Sequence, residues 1–289
     1  MSCPRIAIAT CAVYDREKVD DKLLRRALEE RDCDAEEVVW DEAGTDWVGF
    51  DLCLVRSTWD YHEKHREFLA WTRQVEAATA LQNPADLIAW NSDKSYLREL
   101  GKAGVRTVPT LWVERGSEID LDGTLETEGW DEVVIKPVVD LGARNLQRAR
   151  AGESAAALEL VQRRGDAMVQ PFLPSVEEQG ELSLIHVDGQ LTHAVRKRPA
   201  PGDFRVQGIW GGSVTRVEPQ PDEVELAEQA LAHLNEPPLY ARVDLVAGLD
   251  GEPCLIELEL IEPNLYLTEH PPAVAALAEA ALLRIDVDA

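Results

Sequence analysis

Two periods of apolar residues alternate along the chain, and each change of period marks an element. Residues 5–11 (RIAIATC), apolar throughout 6–9, predict a buried strand. Over 20–31, Leu23, Leu24, Ala27 and Leu28 recur at helical spacing. Residues 37–40 and 50–56 predict two further strands, and 68–77 a helix after the loop 57–62. This strand–helix–strand order predicts a parallel, doubly wound sheet. Ligands of such sheets sit beyond the carboxyl ends of the strands, so 10–12 and 57–62 are candidate pocket loops.

The pattern changes near residue 91. Asn91 or Ser92 suits the cap of a helix ending near Gly101 or Gly104, and 107–113 and 132–136 read as strands. A glycine-containing loop at 140–145 and a helix at 154–163 follow. From 167 the text is mostly strands, at 168–170, 182–187, 190–196, 240–246 and 254–258, broken by a helix at 222–234. A helix at 272–283 closes the chain, and Asp188-Gly189 signals a tight hairpin turn. The class is α/β followed by α+β, and 289 residues suit two or three packed subdomains.

Charge narrows the partners. A formal net charge of −25 opposes sequence-independent nucleic-acid binding, whose phosphates need cations. Any phosphate site must therefore gather Lys and Arg locally. Five scattered cysteines without C-x-x-C spacing predict reduced thiols. No apolar run approaches membrane-spanning length, so a cytoplasmic protein with no membrane partner is expected.

Chemistry concentrates near the end of the chain. Arg242 and Asp244 share one face of a strand, as do Glu257 and Glu259. With Asp250-Gly251 as a two-residue turn, Asp244 falls opposite Glu257 and Arg242 opposite Glu259. Two such carboxylates about 4 Å apart repel by roughly 4 kcal/mol at an effective dielectric of 20. A hard divalent cation such as Mg²⁺ removes that repulsion. A merely solvated acidic face is the alternative.

Lys136 ends an apolar strand beside the glycine loop, and Lys94 opens a helix; both suit nucleotide phosphates, or else plain solvent exposure. Gln170-Pro-Phe172-Leu173 reads as a hinge able to hold an adenine, and Glu181 could accept from ribose hydroxyls. Arg196, Lys197, Arg198 and Arg205 crowd one turn-rich stretch and suit a γ-phosphate and an acyl group, or pairing with surface acids. Trp59, Asp60, Tyr61 and His62 suit either a small polar substrate or packing between domains. Zinc-ligand, nucleophile-elbow and P-loop spacings are all absent from the sequence.

Taken in chain order, Lys94, Lys136, Gln170-Pro-Phe-Leu173, Glu181, Asp203-Phe-Arg205 with Gly211-Gly212, Arg242-Val-Asp244 and Glu257-Leu-Glu259 resemble the ATP-grasp superfamily. The Asp203 to Gly212 stretch is similar to glutathione synthetases and to ligases that add glutamate to protein tails. Residues 55–62, 91–94, 136–137, 170–174, 194–207 and 239–245 resemble more closely the group typified by the cycloserine-forming (O-ureido-serine) cyclo-ligase.

The resemblance implies a Rossmann-like pre-ATP-grasp domain at 1–90, a small ATP-grasp lobe at 91–170 and a large lobe with the metal site at 171–289. It implies ATP held by Lys94, Lys136, Gln170, Phe172, Leu173, Glu181 and Arg198. Asp244, Glu257 and Glu259 would hold Mg²⁺, two ions being expected and Mn²⁺ a substitute. Glu259 stands where the superfamily usually has Asn, and Gln207 where related ligases often have Asn. Asp140 is expected to turn from the triphosphate or meet Arg144. Arg205 would neutralise transferred phosphoryl charge, and Arg242 the oxyanion.

The implied activity is an ADP-forming carboxylate–amine ligase that works through an acylphosphate on an amino acid or small peptide-like substrate. Intramolecular ring closure of an amino-acid derivative and non-catalytic nucleotide binding are the alternatives. Small carboxylates and amines are the expected partners, and a homodimer is compatible with the sequence.

Overall fold

The computed structural model describes residues 3–13, 18–150 and 152–285. The first sheet holds β1 (Arg5–Thr10), β2 (Asp34–Val39), β3 (Leu52–Ser57) and β4 (Ala80–Gln82), all parallel, in the order β2-β1-β3-β4. Alternation along β1 builds two cores. Ile6 and Ile8 pack with Leu24, Leu28 and Leu54, whereas Ala7 and Ala9 join Trp40, Phe68 and Trp71. Burial on both faces explains the continuous apolar text of β1 and β3. The first of these cores also takes in Ile185, Tyr240, Leu265 and Leu277, which fixes this sheet against the C-terminal part of the chain.

The second sheet is antiparallel, in the order β5-β8-β6-β7: β5 (Leu111–Val113), β6 (Glu132–Pro137), β7 (Gln147–Arg150) and β8 (Ala167–Pro171). The strand expected over 107–113 shrinks to β5, with Thr107 in a lone bridge to Leu255. Pro109 lies between them and cannot donate to a ladder.

The third sheet runs β11-β10-β9-β12-β13: β9 (Glu181–Val187), β10 (Gln190–Arg198), β11 (Ser213–Val217), β12 (Tyr240–Ala247) and β13 (Pro253–Glu259). Asp188 and Gly189, at φ 49° and 74°, make the two-residue turn between β9 and β10.

The turn between β12 and β13 departs from expectation. Ala247 pairs with Pro253, so five residues, 248–252, form the loop rather than Asp250-Gly251 alone. A register shift between Asp244 and Leu245 then restores the predicted partners, Asp244 with Glu257 and Arg242 with Glu259. The longer loop and the bulge cancel, and the acids meet as expected.

Candidate active site

A cleft of about 520 Å³ opens between the second and third sheets. β12 and β13 form its floor. Asp244, Glu257 and Glu259 each offer an oxygen there, all within 4.8 Å of one another. Asp244 is fully buried just behind the lining. It accepts from Ser183 Oγ (2.5 Å), from Arg242 Nη2 (2.8 Å) and Nε (3.0 Å), and from Lys197 Nζ (3.1 Å). Arg242 also pairs with Glu259.

Lys94 Nζ donates to the carbonyl of Asp140 at 2.6 Å and pairs with Glu257 at 3.2 Å. Lys136, on β6, borders the cleft and makes no ion pair among the described residues.

Burial and charge set the protonation states. Burial opposes the charge on Asp244, yet Arg242 and Lys197 hold its carboxyl below the usual carboxylate range. Burial likewise opposes Glu257, and Lys94 and Lys136 bring it down. Glu259 goes the other way: burial, with Glu257 and Asp244 close by, outweighs Arg242 and pushes it up to about 7. Burial also raises Glu181 to about 7 despite Lys197. Lys136 is lowered by burial, whereas Lys94 is raised because Glu257 and Asp140 overcome its burial. Lys136 thus lacks an ion pair among the described residues, and a bound phosphate would favour its charged form.

Local backbone geometry places these groups. Gly180 has φ +86°, and a Cβ there would lie 2.2 Å from the Lys197 carbonyl. Only glycine lets the chain close onto β10 and set Glu181 opposite Lys197, with which it pairs. At the hinge, Phe172 N–H donates to the Glu132 carbonyl (2.8 Å), and the Arg148 guanidinium lies 3.5 Å over the Phe172 ring. Leu173 packs with Val108 and Val246, and Gln170 Nε2 donates to Thr110 (3.0 Å).

Lys94, Lys136, Gln170, Phe172, Leu173, Glu181, Arg205, Arg242, Glu257 and Glu259 all border the cleft. Arg198 does not. It is exposed, and its neighbour Lys197, 2% exposed, occupies the inner position, because successive strand residues face opposite ways. Arg205 borders the cleft but is gripped by Asp203 (3.0 and 2.6 Å) and stacked 3.6 Å over Trp210. Asp140 accepts from Asn145 Nδ2 (2.6 Å), which turns its carboxylate into a brace for the glycine loop. Gln207 lines the wall with a buried, unpartnered Oε1.

Of the loop at 57–62, only Trp59 reaches the main cleft, where its indole N–H donates to the Glu262 carbonyl (3.1 Å). Tyr61 instead packs against Phe68, its ring tilted by 33° at 4.8 Å, and Asp60 accepts from Trp40 (2.8 Å), so both serve packing. The loop at 10–12 stays out of the cleft, where the Cys11 carbonyl takes the buried Lys18 ammonium (2.5 Å).

Sequence reasoning took Lys197 only as one of four crowded cations and missed Glu262, Asn264 and Tyr266; all four are on the lining. Strand alternation could have singled out Lys197. An acid inside the apolar run Leu260-Ile-Glu262 could have flagged Glu262. The three converging carboxylates fit a hard divalent cation, since carboxylate oxygen is its preferred donor.

Comparison with known proteins follows the same line. Residues 110–265 match the ATP-grasp domain of prokaryotic glutathione synthetase, and residues 6–83 match the N-terminal domain of D-cycloserine synthetase DcsG. The cycloserine biosynthesis protein DcsG of Streptomyces lavendulae is 31% identical over 265 residues, 87% of this chain and 89% of that protein. A glutathione synthetase of Prochlorococcus marinus is 33% identical over 177 residues, 60% of this chain and 54% of that one. The crystal structure of D-cycloserine synthetase DcsG superposes with a TM-score of 0.88 at 30% identity, covering 98% of this chain and 100% of its own. A D-alanine–D-alanine ligase from Bacillus anthracis shares the fold, with a TM-score of 0.73 at 14% identity over 98% of this chain and 97% of its own.

Proposed function

The chain belongs to the ATP-grasp superfamily, and on that premise we propose that it joins a carboxylate to an amine through an acylphosphate, with an amino acid or small peptide-like molecule as substrate. It is an ADP-forming ligase that uses ATP and Mg²⁺. The supporting observation is the meeting of Lys94 and Lys136 with three converging carboxylates, Glu257 and Glu259 on the cleft lining and Asp244 just behind it.

In this reading the units are 1–90, 91–170 and 171–289, the last two being the ATP-binding lobes. Lys94 and Lys136 hold phosphates, the hinge at Gln170, Phe172 and Leu173 holds the adenine, and Glu181 accepts from the ribose. Arg198 drops out of the nucleotide set because it does not border the cleft, and Lys197 anchors Glu181 and Asp244 instead. Asp244, Glu257 and Glu259 would hold Mg²⁺, with two ions expected and Mn²⁺ as a substitute. Bound magnesium supplies positive charge against the phosphoryl oxygens. Arg205, once released from Asp203, faces the transferred phosphoryl group, and Arg242 steadies the tetrahedral oxyanion. The protein contributes position and charge, with no covalent nucleophile of its own.

The likeness to DcsG over most of the chain favours a second reading on the same scaffold, ring closure of one amino-acid derivative. A library of amino acids and dipeptides scored for ADP release, with mass spectrometry of the products, tests both. Release from a single compound supports closure, and release that needs a second amine supports joining. Lys136→Ala should weaken ATP binding and Asp244→Asn should impair Mg²⁺-dependent turnover; unchanged behaviour of both variants would refute the assignment.

A further inference from the structure

The acids beneath the cleft differ in their partners. Asp244 has Arg242 and Lys197, Glu257 has Lys94, Glu259 has Arg242 and Glu181 has Lys197. Glu262 has no ion-pair partner among the described residues. It is 5% exposed, and its Oε2 is buried without a hydrogen-bond donor. Burial pushes its carboxyl well up, so it either keeps its proton or is ionised by a cation that a ligand brings.

Glu262 borders both the main cleft and a recess of about 20 Å³ that it shares with Lys94, Tyr61, Glu257 and Glu259. The recess admits one water-sized group and already faces the Lys94 ammonium, so a substrate cation reaches Glu262 from the cleft side. Trp59, tied to the Glu262 backbone, adds an aromatic wall, and aromatic faces attract cations. A metal ion fits the place less well, because Glu262 stands outside the trio of carboxylates that converge within 4.8 Å.

We propose that Glu262 seats an ammonium group of the substrate, with Trp59 as the adjoining wall. The inference rests on the ligase reading and sharpens it: the molecule whose carboxylate is phosphorylated carries a free ammonium group, so plain carboxylic acids are poor substrates.

The test pairs amino acids with their des-amino counterparts in an ADP-release assay on the wild-type protein and on Glu262→Gln. For wild type, the amino acid should have a KM about 10- to 100-fold below that of its des-amino partner, the range of one charged hydrogen bond. In Glu262→Gln that gap should collapse, while KM for ATP and the half-saturating Mg²⁺ concentration hold. Calorimetric ATP binding shows that the variant is folded, and Trp59→Leu should raise the amino-acid KM severalfold.

Equal use of both compounds by wild type overturns this assignment and leaves the ligase reading standing. A raised Mg²⁺ requirement with unchanged amino-acid KM gives Glu262 to a metal and also overturns it. ADP release from none of the compounds removes the ligase reading, and the ammonium seat with it.

Discussion

Lys197→Met isolates the electrostatics that hold the cleft floor together. The side chain is 2% exposed and pairs with Glu181 and, at 3.1 Å, with Asp244. Methionine keeps the length of the stem and removes only the charge. Asp244 retains Arg242 and Ser183, but Glu181 loses its one ion-pair partner among the described residues. Breaking one side of a buried pair costs about 3–5 kcal/mol, or a melting point lower by about 6–15 °C.

The dependence on pH has a definite sign. Glu181 already sits at about 7, above its ordinary 4.5, so its contribution to stability is present in acid and is lost as pH rises through about 7. Without Lys197 that carboxyl rises further. The variant should therefore recover more stability than wild type between about pH 8 and about pH 6. Urea unfolding at both values measures this. Adding Glu181→Gln removes the orphaned charge and should restore at least about 1 kcal/mol. A single-variant loss below about 1 kcal/mol, or a double variant no better than the single, would refute the reasoning.

Other outcomes follow from the same geometry. Burial lowers the Lys136 ammonium, and phosphate favours its charged form. ATP affinity, measured by calorimetry, should therefore fall as pH rises through that lowered pKa, with proton uptake on binding, and Lys136→Arg should flatten the profile. Gly180→Ala places a methyl against the Lys197 carbonyl at a positive φ, so unfolding free energy should drop by about 2 kcal/mol or more, read from urea melts. Glu259→Asn replaces one of three converging carboxylates with a shorter, neutral amide oxygen, and the half-saturating Mg²⁺ concentration in the ADP-release assay should rise severalfold.

Much of this site was legible in the sequence because two-residue alternation decides which side chains can meet. Alternation put Arg242, Asp244, Glu257 and Glu259 on one face, and the register held even though the turn was longer than two residues. The loop and bulge were illegible, since the residue that slips reads as apolar on either face.

The same alternation, applied to 196–198, would have favoured Lys197, but charge density drew attention to Arg198 instead. β7, with only Ala149 buried, and β4, three residues long with only Leu81 buried, left too little apolar signal to find. Among Trp59, Asp60, Tyr61 and His62, composition could not separate the cleft wall from the aromatic core. That choice depends on how the loop sits against Phe68 and Glu262.

All five cysteines are free, and only Cys3 is exposed. No helix among the described residues is long and apolar enough to cross a membrane.

Oxygen transfer tests the central claim most directly. A substrate from the amino-acid library, labelled with heavy oxygen in its carboxylate, is turned over with ATP, and the released phosphate is weighed by mass spectrometry. Attack of the carboxylate on the γ-phosphorus predicts ADP and phosphate carrying one labelled oxygen from the substrate. Unlabelled phosphate, or AMP and pyrophosphate in place of ADP, would contradict the account.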